Sequence, residues 1–143
     1  MKLTLTAVEN IPMVEPGDDL VEQICAGLDS MNESLLDGDI LVLAQKIVSK
    51  AENRYVDLKS VVPSTEAIAL GLEVDKDPRK VQVILDESNE VVRKRPGVLI
   101  VEHRLGFVAA NAGIDQSNIQ KSGVDGDDLC LLLPVDADAS AEK

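Results

Sequence analysis

Two short polar stretches carry the residue types from which a phosphate- and metal-binding site is made. In Ala44-Gln45-Lys46-Ile47-Val48-Ser49-Lys50-Ala51-Glu52, two lysines and a serine hydroxyl follow an apolar run, where ligand groups often collect in sheet proteins. Such groups can hold phosphate oxygens by charge-assisted hydrogen bonds, worth about 1.5–3 kcal/mol each. The same residues also describe a solvated basic patch on an amphipathic segment, and no GxxxxGK[ST] pattern accompanies them. The second stretch is Asn111-Ala112-Gly113-Ile114-Asp115-Gln116-Ser117-Asn118, where Asp115, Ser117 and Asn118 offer hard oxygen donors suited to Mg²⁺ or Mn²⁺. Gly113 would let the backbone approach a ligand closely. The competing reading is an Asx-turn capping a short helix. An EF-hand is excluded: with Asp115 as the first ligand, Gln120 stands where Gly is needed and Gly126 where Glu is needed.

His103 is the single histidine, flanked by Glu102 and Arg104. It can serve as a phosphate donor or general acid/base, or as a structural histidine beside a strand. No nucleophile–base pair is visible. One carboxylate cannot hold a catalytic metal alone. Asp125-Gly126-Asp127-Asp128 offers further carboxylates, or simply an exposed turn before the last strand.

The elements that must position these groups follow from periodicity and punctuation. Residues 2–8 alternate polar and apolar, which predicts a strand. Pro16-Gly17-Asp18-Asp19 makes a turn and a helix cap, and Leu20, Val21, Ile24, Cys25 and Leu28 supply the helix's apolar stripe. Ile40-Leu41-Val42-Leu43-Ala44 reads as a strand buried on both faces. Residues 45–52 either begin a helix or stay extended. Pro63-Ser64-Thr65-Glu66 opens a helix through Leu72, and Asp77-Pro78 opens another with Val81, Ile84, Leu85 and Ser88 inward. Val98-Leu99-Ile100-Val101 is a buried strand, with Gly106 turning it into a returning strand over residues 107–110. Leu129 to Leu133 is the last apolar run. Strict βαβ alternation is missing, so the predicted class is α+β, a mixed sheet with flanking helices.

Composition narrows the partners. The net charge of -12 repels nucleic acid and anionic membranes. Tyr55 and Phe107 are the only aromatics, so stacking platforms for single strands are missing and the core must be aliphatic. Cys25 and Cys130 show no paired spacing and read as two buried free thiols. Neither a signal-peptide core nor a membrane-length apolar run occurs, and the compartment expected is cytoplasmic.

Taken in order, these pieces resemble one family. Ile11-Pro12-Met13-Val14, the Pro-Gly-Asp-Asp helix start, Asp37-Gly38-Asp39, the lysine stretch, Val101-Glu102-His103-Arg104-Leu105-Gly106-Phe107-Val108 and Ala110-Asn111-Ala112-Gly113-Ile114-Asp115-Gln116-Ser117-Asn118 are similar to the coenzyme F-420 gamma-glutamyl ligases, from about Ile11 to Ser140. The resemblance implies a GTP-dependent ligase that adds L-glutamate to the lactyl carboxylate of a deazaflavin precursor through an acyl-phosphate. It implies a divalent metal, Mn²⁺ or Mg²⁺, with K⁺ alongside, and a homodimer. Carried over by position, Ile11, Pro12, Met13 and Val14 contact guanine through backbone groups. Gln45 and Lys50 touch the nucleotide, Lys50 on phosphate. Asp115 ligates metal, and Asn118 binds GTP. Ser49, His103 and Arg104 are further candidates for the same site.

Family members run on past the length of this chain and there place a Ser-Asp-Thr segment that completes the metal site. Residues 1–143 therefore correspond to the N-terminal nucleotide- and metal-binding portion, and the C-terminal portion is a further partner. The alternative is a standalone GTP- or GDP-binding or regulatory module without catalysis.

Overall fold

Four helices begin on a side chain that holds their first free N–H groups. Asp19 accepts from the Glu22 N–H at 3.0 Å, Ser64 from Ala67 at 3.1 Å, Asp77 from Arg79 at 2.8 Å and Asp136 from Ala139 at 3.0 Å. Pro78 occupies the first turn behind Asp77, where its missing N–H costs nothing. In the computed structural model, which describes residues 2–117, 119 and 126–142, the order is α1 (Leu20–Ser30), α2 (Gln45–Ala51), β1 (Tyr55–Asp57), α3 (Thr65–Val74), α4 (Pro78–Asp86), β2 (Ser88–Arg95), β3 (Val98–His103), β4 (Val108–Ala110), β5 (Leu129–Leu131) and α5 (Ala137–Ala141). The class is α+β, and the strands pair antiparallel in two small sheets. No helix among the described residues is long and apolar enough to cross a membrane.

The chain divides into two compact units, Met1–Arg54 with Pro134–Lys143, and Tyr55–Leu133. All the described strands belong to the second. There β2, β3 and β4 form one sheet, with Val91 opposite Val101 and Ile100 opposite Ala110. Gly97 at φ 79° and Gly106 at φ 87° make the two tight turns, a backbone region that other residues enter only with strain. Alternate residues of β3, namely Leu99, Val101 and His103, are buried. Leu99 and Val101 join Val74 of α3 and Val81 and Ile84 of α4 in an aliphatic core. Each such side chain contributes about 1.5–3 kcal/mol by leaving water. The β1–β5 ladder, Tyr55 opposite Leu131, carries a smaller cluster with Ile119 and Leu129.

The predicted helices, the β3 strand, the Gly106 turn and its return are all present, and residues 45–51 are helical. Four expectations need correction. Residues 2–8 and 40–44 are not strands, and Leu3, Leu5, Ile40 and Val42 are each at least 80% exposed. A strand exists only when a neighbour takes its N–H and C=O groups, and among the described residues nothing pairs with these two segments. On α1 the inward positions are Leu20, Gln23, Ile24, Gly27 and Leu28, so Val21 and Cys25 fall on the exposed side. Cys25 is thus an exposed thiol, whereas Cys130 is buried as expected. Ser88 does not extend the stripe of α4. It opens β2 and donates from Oγ to the Ile84 carbonyl.

Candidate functional site

In the first unit, α2 turns Ser49 and Lys50 inward. Ser49 is wholly buried, and its hydroxyl accepts from the side-chain amide of Gln45 one turn earlier. Lys50 is 6% exposed, and among the described residues no carboxylate or hydrogen-bond acceptor meets its ammonium. Its stem is packed away, whereas its ammonium is not among the buried unpartnered polar atoms and keeps access to solvent, where an anion can reach it. The Gly17 N–H donates to the Ala51 carbonyl at 2.8 Å, and the Glu15 N–H to Asp18 Oδ2 at 2.8 Å. The first bond ties the turn after Ile11, Pro12, Met13 and Val14 to the end of α2, and the second closes that turn on itself. Within that segment Val14 is buried, Pro12 and Met13 are exposed, and the backbone polar groups make no bond to the described residues. Glu52, just past α2, accepts from Ser140 Oγ at 2.6 Å.

In the second unit, Asn111, Ala112 and Gly113 adopt left-handed φ values of 51°, 54° and 68° in succession. The two non-glycine positions carry strain of order 1 kcal/mol or more each. A Cβ on Gly113 would stand 2.8 Å from Leu133 Cδ1, so the glycine admits a side chain of the fold; the close approach is to Leu133 and not to a ligand. Asp115 then exchanges backbone hydrogen bonds with Leu131 at 2.8 and 3.0 Å. Its Oδ1 accepts from the N–H and hydroxyl of Ser117 at 2.8 and 2.7 Å, an Asx-turn. Gln116 pins the loop: its amide donates to the Asp127 carbonyl at 2.7 Å and accepts from Lys80 Nζ at 2.8 Å. Asn118 lies outside the described residues, as does Asp125.

His103 is 1% exposed and belongs to the core. Its Nδ1 accepts the Leu105 N–H at 3.0 Å, which places the ring proton on Nε2, 3.6 Å from Glu87 Oε2. Phe107 stacks on the ring at 4.7 Å. Arg104 Nη2 lies 3.1 Å from the same Glu87 oxygen. The structure thus gathers His103, Arg104 and Glu87 around the Gly106 turn. Glu87 and Gln116 were not singled out in the sequence; their partners are distant in the chain, and no local pattern marks them.

Asp115 offers a hard oxygen ligand of the right chemistry for Mg²⁺ or Mn²⁺. Among the described residues no group of three or more His, Cys, Asp or Glu side chains gathers where a metal ion would fit. The residues present therefore fit one corner of a metal shell.

The described residues make an α+β protein with an inward lysine on one short helix and an oriented aspartate on a separate loop. The family model described as F420-0:Gamma-glutamyl ligase matches residues 9–143, and the chain belongs to that family. A protein of Methanothermobacter thermautotrophicus named coenzyme F420:L-glutamate ligase is 45% identical over 143 residues, all of this chain and 54% of that protein. Proteins of the same name from Methanopyrus kandleri and Archaeoglobus fulgidus are 40% and 38% identical, covering 95% and 100% of this chain but 51% and 53% of their own lengths. The chain spans about half the length of these relatives.

Proposed function

We propose that this chain carries the nucleotide portion of a ligase that joins L-glutamate by an amide bond to the lactyl carboxylate of the deazaflavin precursor of coenzyme F420, using GTP. Family membership and the name shared by its relatives support the reaction class. The observation that carries the nucleotide assignment is Lys50, its stem packed and its ammonium paired with no carboxylate among the described residues, in a chain of net charge -12.

The chemistry explains why such a residue is wanted. A carboxylate is a poor acyl donor until one oxygen becomes part of a leaving group. Its oxygen attacks the terminal phosphorus of GTP, GDP departs, and an acyl-phosphate results. The neutral amine of glutamate then attacks the acyl carbon, loses its proton and expels phosphate as the amide forms. Every reactant is an anion, so fixed cations must offset their repulsion. Lys50 would hold phosphate oxygens, Gln45 would order Ser49 beside it, and Ile11, Pro12, Met13 and Val14 would read guanine through open backbone groups. Asp115 would hold a divalent cation, which supplies charge neutralisation at the phosphates when bound. Asn118 would join the nucleotide contacts.

Calorimetric titration with GDP and Mn²⁺ tests the assignment. Binding by the wild-type chain is expected, weakened about 10- to 100-fold in Lys50→Ala, as loss of a charge-assisted bond implies. Asp115→Ala is expected to remove the dependence on Mn²⁺. No binding by the wild type, or unchanged binding in both variants, overturns it. A standalone GTP- or GDP-binding module without catalysis is the second reading. Binding without glutamate-dependent GTP hydrolysis, once the remainder of a relative is supplied, would select it.

A further inference from the structure

Residues 4–8 and 40–44 line one open cavity of the first unit, about 480 Å³ in volume, together with Leu20, Gln23, Ile24 and Ile47. Both bordering segments lie outside the helices and ladders and are rich in aliphatic residues. Among the described residues, the backbone N–H and C=O groups of positions 4–8 and 40–43 make no hydrogen bond. Leu5 and Val42 are 88% and 85% exposed. Gln23 adds a separate observation: its Nε2 donates to Asp18 at 2.8 Å, while its Oε1 is buried with no donor among the described residues. Gly27 brings the first segment against α1, since a Cβ there would stand 2.7 Å from Val8 Cγ1. Two borders with the residue pattern of strands, backbone groups unpaired on both and a buried unpartnered acceptor on a lining residue make the outline of an unfilled sheet position.

We propose that this gap receives a β-strand with apolar residues at alternating positions, from the half of the family fold that the match leaves uncovered. The relatives carry 46 to 49% of their length outside the aligned part, ample for such a strand, as the covered shares of 54, 51 and 53% imply. The inserted strand pairs with residues 4–8 on one side and 40–43 on the other, and covers the exposed aliphatic side chains. The inference rests on family membership and not on the nucleotide chemistry proposed above.

Hydrogen exchange tests it, with the 143-residue chain alone and with the remainder of the Methanothermobacter relative joined after Lys143. Amides of residues 4–8 and 40–43 should exchange freely in the chain alone and slow about a hundredfold or more in the joined protein. Leu5→Lys or Val42→Lys should abolish that slowing while Leu99 and Val101 stay protected, which shows the second unit still folded. Free exchange in the joined protein overturns the proposal. So does protection in the chain alone: growing with concentration, it marks a second copy as the occupant; independent of concentration, it marks the two segments as each other's partners.

Discussion

Asp115 Oδ1 accepts two hydrogen bonds from Ser117, one from its N–H at 2.8 Å and one from its hydroxyl at 2.7 Å. The turn this creates fixes the carboxylate's direction before any ligand arrives. A group that orients a metal ligand typically changes metal affinity about 10- to 100-fold when removed. Ser117→Ala keeps the N–H bond and removes the hydroxyl, so Mn²⁺ binding in the presence of GDP should weaken about tenfold. Manganese titration followed by electron paramagnetic resonance reads this directly. Wild-type affinity in Ser117→Ala would mean that the turn serves only the fold.

Gly113 is the hinge of that loop, with φ 68° and Leu133 filling the space a side chain would need. Gly113→Ala combines a left-handed backbone with a 2.8 Å approach to Leu133 Cδ1. Destabilisation of the second unit by about 2 kcal/mol is expected, from backbone strain plus overpacking. Adding Leu133→Ala relieves the contact but not the strain. The pair should therefore cost less than the two single changes together, as urea unfolding of all four proteins would show.

Local signals carried much of this fold. Asp19, Ser64 and Asp77 announce their helices because a cap and its N–H partners lie within three residues. Gly106 announces its hairpin for the same reason. The edge strand β2 escaped notice because Arg93-Lys94-Arg95 reads as a polar loop, although charged residues are what an exposed edge wants. Residues 2–8 and 40–44 show the opposite failure: their pattern is that of strands, but pairing is decided by a partner elsewhere. The candidate site was legible as strings of residue types around Lys50 and Asp115. That Lys50 is buried, and that Gln116 bridges Lys80 and Asp127, depends on contacts that no local pattern encodes.

Arg104 gives a test of the cluster beneath the Gly106 turn. Its guanidinium lies 3.1 Å from Glu87, which is 6% exposed, and its own N–H donates to the Glu87 carbonyl at 3.0 Å. Removing one partner of a buried pair costs about 3–5 kcal/mol, but the Arg104 side chain is 38% exposed and solvent screens part of the loss. Arg104→Ala should thus destabilise by about 1–2 kcal/mol. In a Glu87→Gln background, where no carboxylate is left uncompensated, the same change should cost clearly less. Equal losses in both backgrounds would place the effect in the arginine's packing and not in its charge.

The acid limb of stability has a defined source in the second unit. The hydrogen bond from Arg79 holds the Asp77 carboxyl below the usual value of 3.8, and the hydrogen bond from Lys59 does the same for Asp128. Lys59 lies 3.0 Å and Arg79 3.3 Å from Asp128, so three elements of the chain, the segment after β1, the start of α4 and the turn before β5, meet on these charges. A carboxyl whose folded value is depressed binds its proton more readily when unfolded. Stability from both groups is therefore complete above the unfolded carboxylate range. It falls away as pH drops below about 4 and through the lowered folded values. Urea midpoints of the second unit, followed by exchange at Leu99 and Val101, should decline from pH 6 to pH 3. Asp128→Asn should lower the midpoint at pH 6 and flatten the decline, because the neutral amide has no proton to gain. A decline as steep as that of the wild type would assign the acid sensitivity to other carboxylates and leave the Lys59–Asp128–Arg79 contact without a measurable share.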